Sequence, residues 1–144
     1  MIPALPAAPL WRRLLAFAYD LLALIGLWVF LGLIAVALNA GDAIEGWRRL
    51  ALLYPILWLA TGAYFALSWH YGGQTLGMRP WRLRVVGNDG NNVDHVRAWL
   101  RYSCGWLSAL PAGAGLLLCL VDPHKRALHD RLAATRVELL PKPR

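Results

Sequence analysis

The stretch RRLLAFAYDLLALIGLWVFLGLIAVAL, residues 12–38, decides the fold. From Leu14 to Leu38 it is an apolar run with one charge, Asp20. About 20 apolar residues suffice to cross a bilayer as a helix. Asp20 is therefore an intramembrane carboxylate, which costs several kcal/mol unless it is paired or lines a cavity. It lies about 9 Å along the axis from Leu14 at 1.5 Å per residue. Arg13 precedes it by two helical turns, on the same face. The run exceeds the 7–15 residues of a signal-peptide core and carries Asp20, so it reads as a retained helix even though Ala35-Val36-Ala37 mimics a cleavage site.

Composition agrees. Of 144 residues 58% are hydrophobic and only 16% charged, with a mean hydropathy of +0.44. That describes one integral membrane domain. The net charge is +7. Its basic residues flank apolar runs, so anionic lipid headgroups are the expected counterpart, through Lys125, Arg82 and Arg84. No groove-reading motif accompanies the charge, and no nucleic acid is expected. Trp11, Trp47, Trp69 and Trp99 edge the apolar runs, where indole rings favour the headgroup belt. Cys104 and Cys119 lack metal or redox spacing and read as buried thiols.

Three prolines make residues 1–11 a flexible arm, residues 12–140 form the membrane domain, and 141–144 are a tail. A short amphipathic stretch, Ile44–Leu50, suits the interface. A second span is expected from Ala51 to Trp69. Trp81–Val86 and Thr135–Leu140 read as strands, with a turn at Gly87–Asn92. The expected fold class is all-α membrane protein: two spans, a Pro/Gly-broken third segment and a small two-stranded β element on the cytoplasmic side.

The third segment, Trp99–Val121, is interrupted at Pro111–Gly115 and leaves two arrangements open. As a plain span it divides the 15 Lys and Arg seven against eight; as a re-entrant hairpin it puts thirteen on one side and two on the other. The positive-inside rule prefers the hairpin, as does pairing of the two strands on one side. Re-entrant backbone needs protein cover, which favours a homo-oligomer.

Three patterns converge: Arg13-x2-Ala16-x3-Asp20, Gly73-x-Thr75-x-Gly77-x-Arg79, and Asp122-x3-Arg126-x-Leu128-His129-Asp130-Arg131-x3-Thr135-x-Val137. Together they resemble the RDD family of small membrane proteins over roughly residues 10–140. The resemblance puts the family arginine on Arg13, with Arg12 as a register alternative, and the two aspartates on Asp20 and Asp130. It implies a bacterial inner (cytoplasmic) membrane protein, multi-pass with its N-terminus cytoplasmic. Cation–proton antiport is suggested for some members, and others resemble adapters. Met78, Ala127 and Ala134 depart from the family's frequent lysine and glycines.

The candidate polar site is Arg13, Asp20, Asp122, Arg126, Asp130 and Arg131. Asp20 has two readings: an ion or proton site, or an anchor held by Arg126 or Arg131. Asp122-Pro123 has the chemistry of a helix start. His129 and Asp130, adjacent on a helix, are expected to diverge, and no nucleophile motif accompanies them, so no enzyme activity is expected. No metal and no cofactor are expected, since His124 and His129 are poorly spaced to share one. Two functions remain in contention: ion or proton-coupled cation transport as a homo-oligomer using Asp20, and a membrane adapter binding a protein partner through its basic face or sheet edge.

Overall fold

The computed structural model describes residues 5–109, 114–123 and 125–142. The chain is mostly helical, with one small sheet. Among the described residues two helices are long and apolar enough to cross a membrane: Leu10–Leu38, whose most apolar 18 residues have a mean hydropathy of 2.8, and Gly46–Tyr71, where the same measure is 1.7.

Helix α1 (Leu10–Leu38) buries Ala16, Asp20 and Leu24 and exposes most of its other large apolar side chains. Those three recur every four residues and form one stripe facing the rest of the protein. The helix begins four residues before the apolar run and so has Arg13 in its first turn.

The second long helix includes the stretch expected to lie apart in the interface. It comprises α2 (Gly46–Arg48), a π-helical turn (Arg49–Leu53) and α3 (Tyr54–Tyr71). Pro55 accounts for the π turn. Its ring has no N–H for the preceding turn and crowds the carbonyl four residues back, so the helix widens there.

Strand β1 (Leu83–Gly87) pairs antiparallel with β2 (Thr135–Leu139), with Val85 opposite Val137. The first strand starts later than its sequence pattern suggests because Arg82 takes a left-handed φ of 56° in the preceding turn. Neither outer edge is bare. Val85 N donates to Gly73 O, at 2.7 Å, on one side. On the other, Ala8 N donates to Val137 O (3.0 Å) and Leu139 N to Pro6 O (2.9 Å). The arm expected to be flexible is therefore part of the fold from Pro6 to Ala8: extended, proline-rich backbone satisfies a strand edge that would otherwise be exposed.

Helix α4 (His95–Ala109) starts where the Asp94 carboxylate accepts the Arg97 N–H at 2.7 Å. It is amphipathic in the membrane sense: Ala98, Arg101, Tyr102 and Ser108 face inward, while Val96, Leu100, Trp106 and Leu107 are exposed. At Gly62 it meets α3, where a Cβ would lie 2.7 Å from the Tyr102 ring and strike Trp99 as well. The expected break at Pro111–Gly115 falls mostly on residues 110–113, outside the described residues. Helix α5 (Ala114–Val121) follows and packs on α4, with Gly115 against the Ser108 backbone. Helix α6 (Leu128–Leu132) packs against both. Cys104 and Cys119 are free and buried.

Trp11 and Trp47 are exposed, as a headgroup position requires. Trp69 is instead 9% exposed, with the Arg101 guanidinium 5.0 Å from its ring centre. Burial beneath α4 and the cation–π contact set its place, and the edge of an apolar run does not reveal either.

Candidate functional site

Asp20 is 2% exposed. Its carboxylate accepts three hydrogen bonds: Tyr64 OH at 2.6 Å, Thr75 Oγ1 at 2.5 Å and Gly77 N at 2.8 Å. Every donor is neutral, and among the described residues no ion pair reaches Asp20. The loop after α3 supplies two of the three donors because it presses directly on α1. A Cβ on Gly77 would lie 2.7 Å from both Asp20 N and Asp20 Cγ and collide with Ala16 O. Glycine at 77 and a small residue at 16 thus let one backbone touch another and deliver an N–H to the carboxylate. The expectation that Arg126 or Arg131 holds Asp20 is not met. Both turn to Asp122, which lies on their own side of α6.

The second centre is Asp130, which is fully buried. Arg13 Nη1 donates to Oδ2 at 2.6 Å, and Arg101 Nη1 donates to Oδ1. Ala127 N donates to Oδ2 at 2.9 Å, which also closes the start of α6. Arg101 Nη1 reaches Thr135 Oγ1 at 2.6 Å, joining the cluster to β2. Arg13 further donates to Ala8 O (3.2 Å) and Lys125 O (2.8 Å). The first turn of α1, α4, α6, β2 and the N-terminal arm therefore meet on one carboxylate. Arg13 and Asp20, which share a face of α1, serve different partners.

Asp122 is no helix start: it follows the end of α5 at Val121, and α6 begins only at Leu128. The carboxylate accepts the Arg126 N–H at 2.8 Å and pairs with Arg131 and with Arg126 Nε at 3.4 Å. It ties Arg126 and Arg131 to the end of α5. His129 and Asp130 do not diverge: His129 Nε2 stands 3.5 Å from Asp130 Oδ1, because α6 is a single short turn wedged against α4. His129 Nδ1 lies 3.2 Å from Ser108 Oγ.

Three titrating groups here act in one direction. The Arg126 N–H holds Asp122 down at about 2 against the desolvation that opposes it, with Arg131 adding to the effect. Burial pushes the Asp130 carboxyl up, but Arg101, His129, Arg13 and the Ala127 N–H outweigh it and keep it far below the usual carboxylate range. Burial lowers His129 to about 4, with Arg101 and Arg13 outweighing the pull of Asp130. In each case the unfolded chain binds protons that the folded chain does not, so stability falls as pH falls. The expected result in detergent is a Tm that declines from pH 6.5 towards 4 as unfolded His129 protonates. A second decline follows below the ordinary carboxylate range. His129→Gln should flatten the first decline and leave the second; an unchanged profile between pH 6.5 and 4 would exclude His129 as its source.

Of the residues nominated for lipid headgroups, Lys125 is exposed. Arg82 is half-buried and donates to Leu140 O at 3.3 Å, and Arg84 donates to Asn92 Oδ1 at 2.8 Å. Sequence reasoning passed over Arg101 and Tyr64. Arg101 had the signal that drew attention to Asp20, a lone charge at the border of an apolar run. Tyr64 had none.

A cavity of about 330 Å³ separates α1 from α3 and α4. Asp20 and Thr75 stand on one part of its wall, Arg13, Arg101 and His129 on another, and the rest is almost entirely apolar. A wider open groove of about 710 Å³ continues past Trp28, whose Nε1 donates to Thr61 Oγ1 at 2.8 Å between the two. Among the described residues no cluster of His, Cys, Asp or Glu suits a metal ion.

Comparison with known proteins gives one match: the model of the RDD family fits residues 7–134, most of the chain. No curated protein and no solved structure matches.

Proposed function

The chain belongs to the RDD family, and from that premise we propose that it is a small multi-pass protein of the bacterial inner membrane that couples proton or monovalent-cation movement to Asp20. One observation carries this reading. A fully desolvated carboxylate on a membrane helix is held by neutral donors alone and stands on the wall of a cavity. An intramembrane carboxylate so placed marks an ion or proton pathway.

The hydroxyls suit a site that changes charge. Tyr64 OH already accepts Leu76 N at 3.2 Å, and Thr75 Oγ1 accepts Met78 N at 3.2 Å. Each can rotate its proton away and accept one from a neutral Asp20, so both charge states find partners. Reciprocal pairing with an arginine would instead lock the carboxylate in its ionised form.

The membrane arrangement in this reading has the N-terminus in the cytoplasm and α4–α5 as a re-entrant hairpin. Several observations support it: the two short helices pack together, the two strands pair, and the positive-inside count prefers that side for thirteen of fifteen basic residues. A homo-oligomer would supply the cover that such a hairpin needs. An adapter that adds a partner's strand to the sheet has less support, since Gly73 and Pro6–Ala8 occupy both edges.

The test is purified protein in liposomes with a trapped pH-sensitive dye, under imposed Na+ or K+ gradients. Wild type is expected to move protons in response to the gradient, and Asp20→Asn to lose at least tenfold of that rate while keeping its fold. Equal flux in Asp20→Asn would remove Asp20 from the pathway. No flux in folded wild type would remove transport itself.

A further inference from the structure

We propose that the cavity between α1 and α3–α4 is a binding site for one acyl chain of an anionic phospholipid, whose headgroup sits on a basic rim at the start of α1. The inference is independent of cation coupling at Asp20.

The cavity wall argues for a hydrocarbon occupant. Leu14, Phe17, Leu24, Phe65, Met78 and Leu116 are among the side chains that line it. Its volume of about 330 Å³ falls at the lower end of ligand sites, roughly 300–1,000 Å³. That suits a single chain better than a whole lipid. The helix that walls it is otherwise exposed along most of its length and lies in lipid by its composition. Chains of the surrounding bilayer are thus the apolar groups present at the highest concentration.

Charge supplies the second argument. Around the first turn of α1 stand Arg12, with Nη1 at 3.4 Å from Trp81 O, Arg82 beside it in sequence, and Lys125, whose carbonyl is bonded to Arg13. The Asp130 carboxylate is already shared by Arg13 and Arg101. Arg12, Arg82 and Lys125 make no ion pair among the described residues. A phosphate is the complement of such a rim, and each basic residue near a membrane surface strengthens its binding roughly fivefold.

Gly105 offers a clean test. It lines the cavity, and a Cβ built on it meets nothing within 4 Å. The side chain of Gly105→Phe therefore leaves the helix from an unobstructed Cβ and adds a ring at the cavity wall. The protein in neutral detergent is titrated with phosphatidylglycerol brominated on its chains. Quenching of tryptophan fluorescence is followed, since Trp28, Trp69 and Trp106 line the cavity. Brominated phosphatidylcholine and brominated palmitate serve as comparisons, with circular dichroism and size-exclusion profiles as controls of fold. The expected result is saturable quenching by phosphatidylglycerol, at least tenfold tighter than by phosphatidylcholine. It should weaken at least tenfold in Gly105→Phe. The double variant Arg82→Gln, Lys125→Gln should lose the preference for the anionic lipid yet keep saturable quenching, which separates a lost rim from a lost fold. Non-saturable quenching, or equal affinity in folded Gly105→Phe, overturns the proposal. Palmitate binding tighter than phosphatidylglycerol also overturns it, in favour of a free fatty acid.

Discussion

Asp130→Ala is expected to destabilise the protein by about 3–5 kcal/mol, the range for breaking a buried ion pair from one side. The carboxylate is fully buried and holds Arg13 and Arg101 together, and Arg101 is itself only 4% exposed. Its removal leaves two desolvated guanidinium groups facing each other. It also frees the Ala127 N–H that closes the start of α6. Arg13→Ala should cost less, because Asp130 keeps Arg101 and Arg13 is nearer to solvent. The variants are compared by thermal unfolding in detergent at pH 7. The double variant Asp130→Ala, Arg101→Met should recover part of the loss, since it replaces an orphaned charge with an apolar side chain. A single Asp130→Ala protein as stable as wild type would show that the cluster does not hold the fold.

Gly77→Ala is expected to cost about 2–3 kcal/mol, the upper part of the range for overpacking. The added methyl meets Ala16 O, Asp20 N and Asp20 Cγ; the first two are helix backbone and cannot rotate away, and turning the third breaks its carboxylate's hydrogen bonds. Relief requires the loop to lift from α1, which removes the Gly77 N–H from Asp20 and lengthens the Thr75 bond. The variant should therefore lose thermal stability and expose Asp20 together. A carboxyl-directed carbodiimide, slow on wild type at position 20, should modify it readily in Gly77→Ala, as peptide mass mapping would reveal. Gly32→Ala is the control: it lies on the same α1 helix, and a Cβ there meets nothing within 4 Å. Protection of Asp20 and an unchanged Tm in Gly77→Ala would contradict the close approach.

Local chemistry made several features legible. Two apolar runs, a strand within Trp81–Val86 and another at Thr135, and a polar break between them follow from residue type and periodicity. So did the isolation of Asp20 in its run and the concentration of charge near Asp130. Boundaries went astray where neighbours intervene. The second helix ran on through the stretch expected to lie apart in the interface, with a widened turn ahead of Pro55, Arg82 turned the chain before β1, and Pro6–Ala8 lined a strand edge because that edge had unpaired carbonyl and amide groups.

What the sequence by itself determined is where the protein lies and which residues are costly to bury: the long apolar runs set the first, and the lone charges within and beside them set the second. Only the tertiary structure decided who satisfies them. Asp20 takes a hydroxyl 55 residues away and an amide 57 away, while Arg13 crosses 117 residues to Asp130. Charge complementarity alone could match Asp20 to any of 15 cations. The choice fell to neutral donors because Gly77 and Ala16 let two backbones touch at that depth, a closeness that no linear pattern encodes.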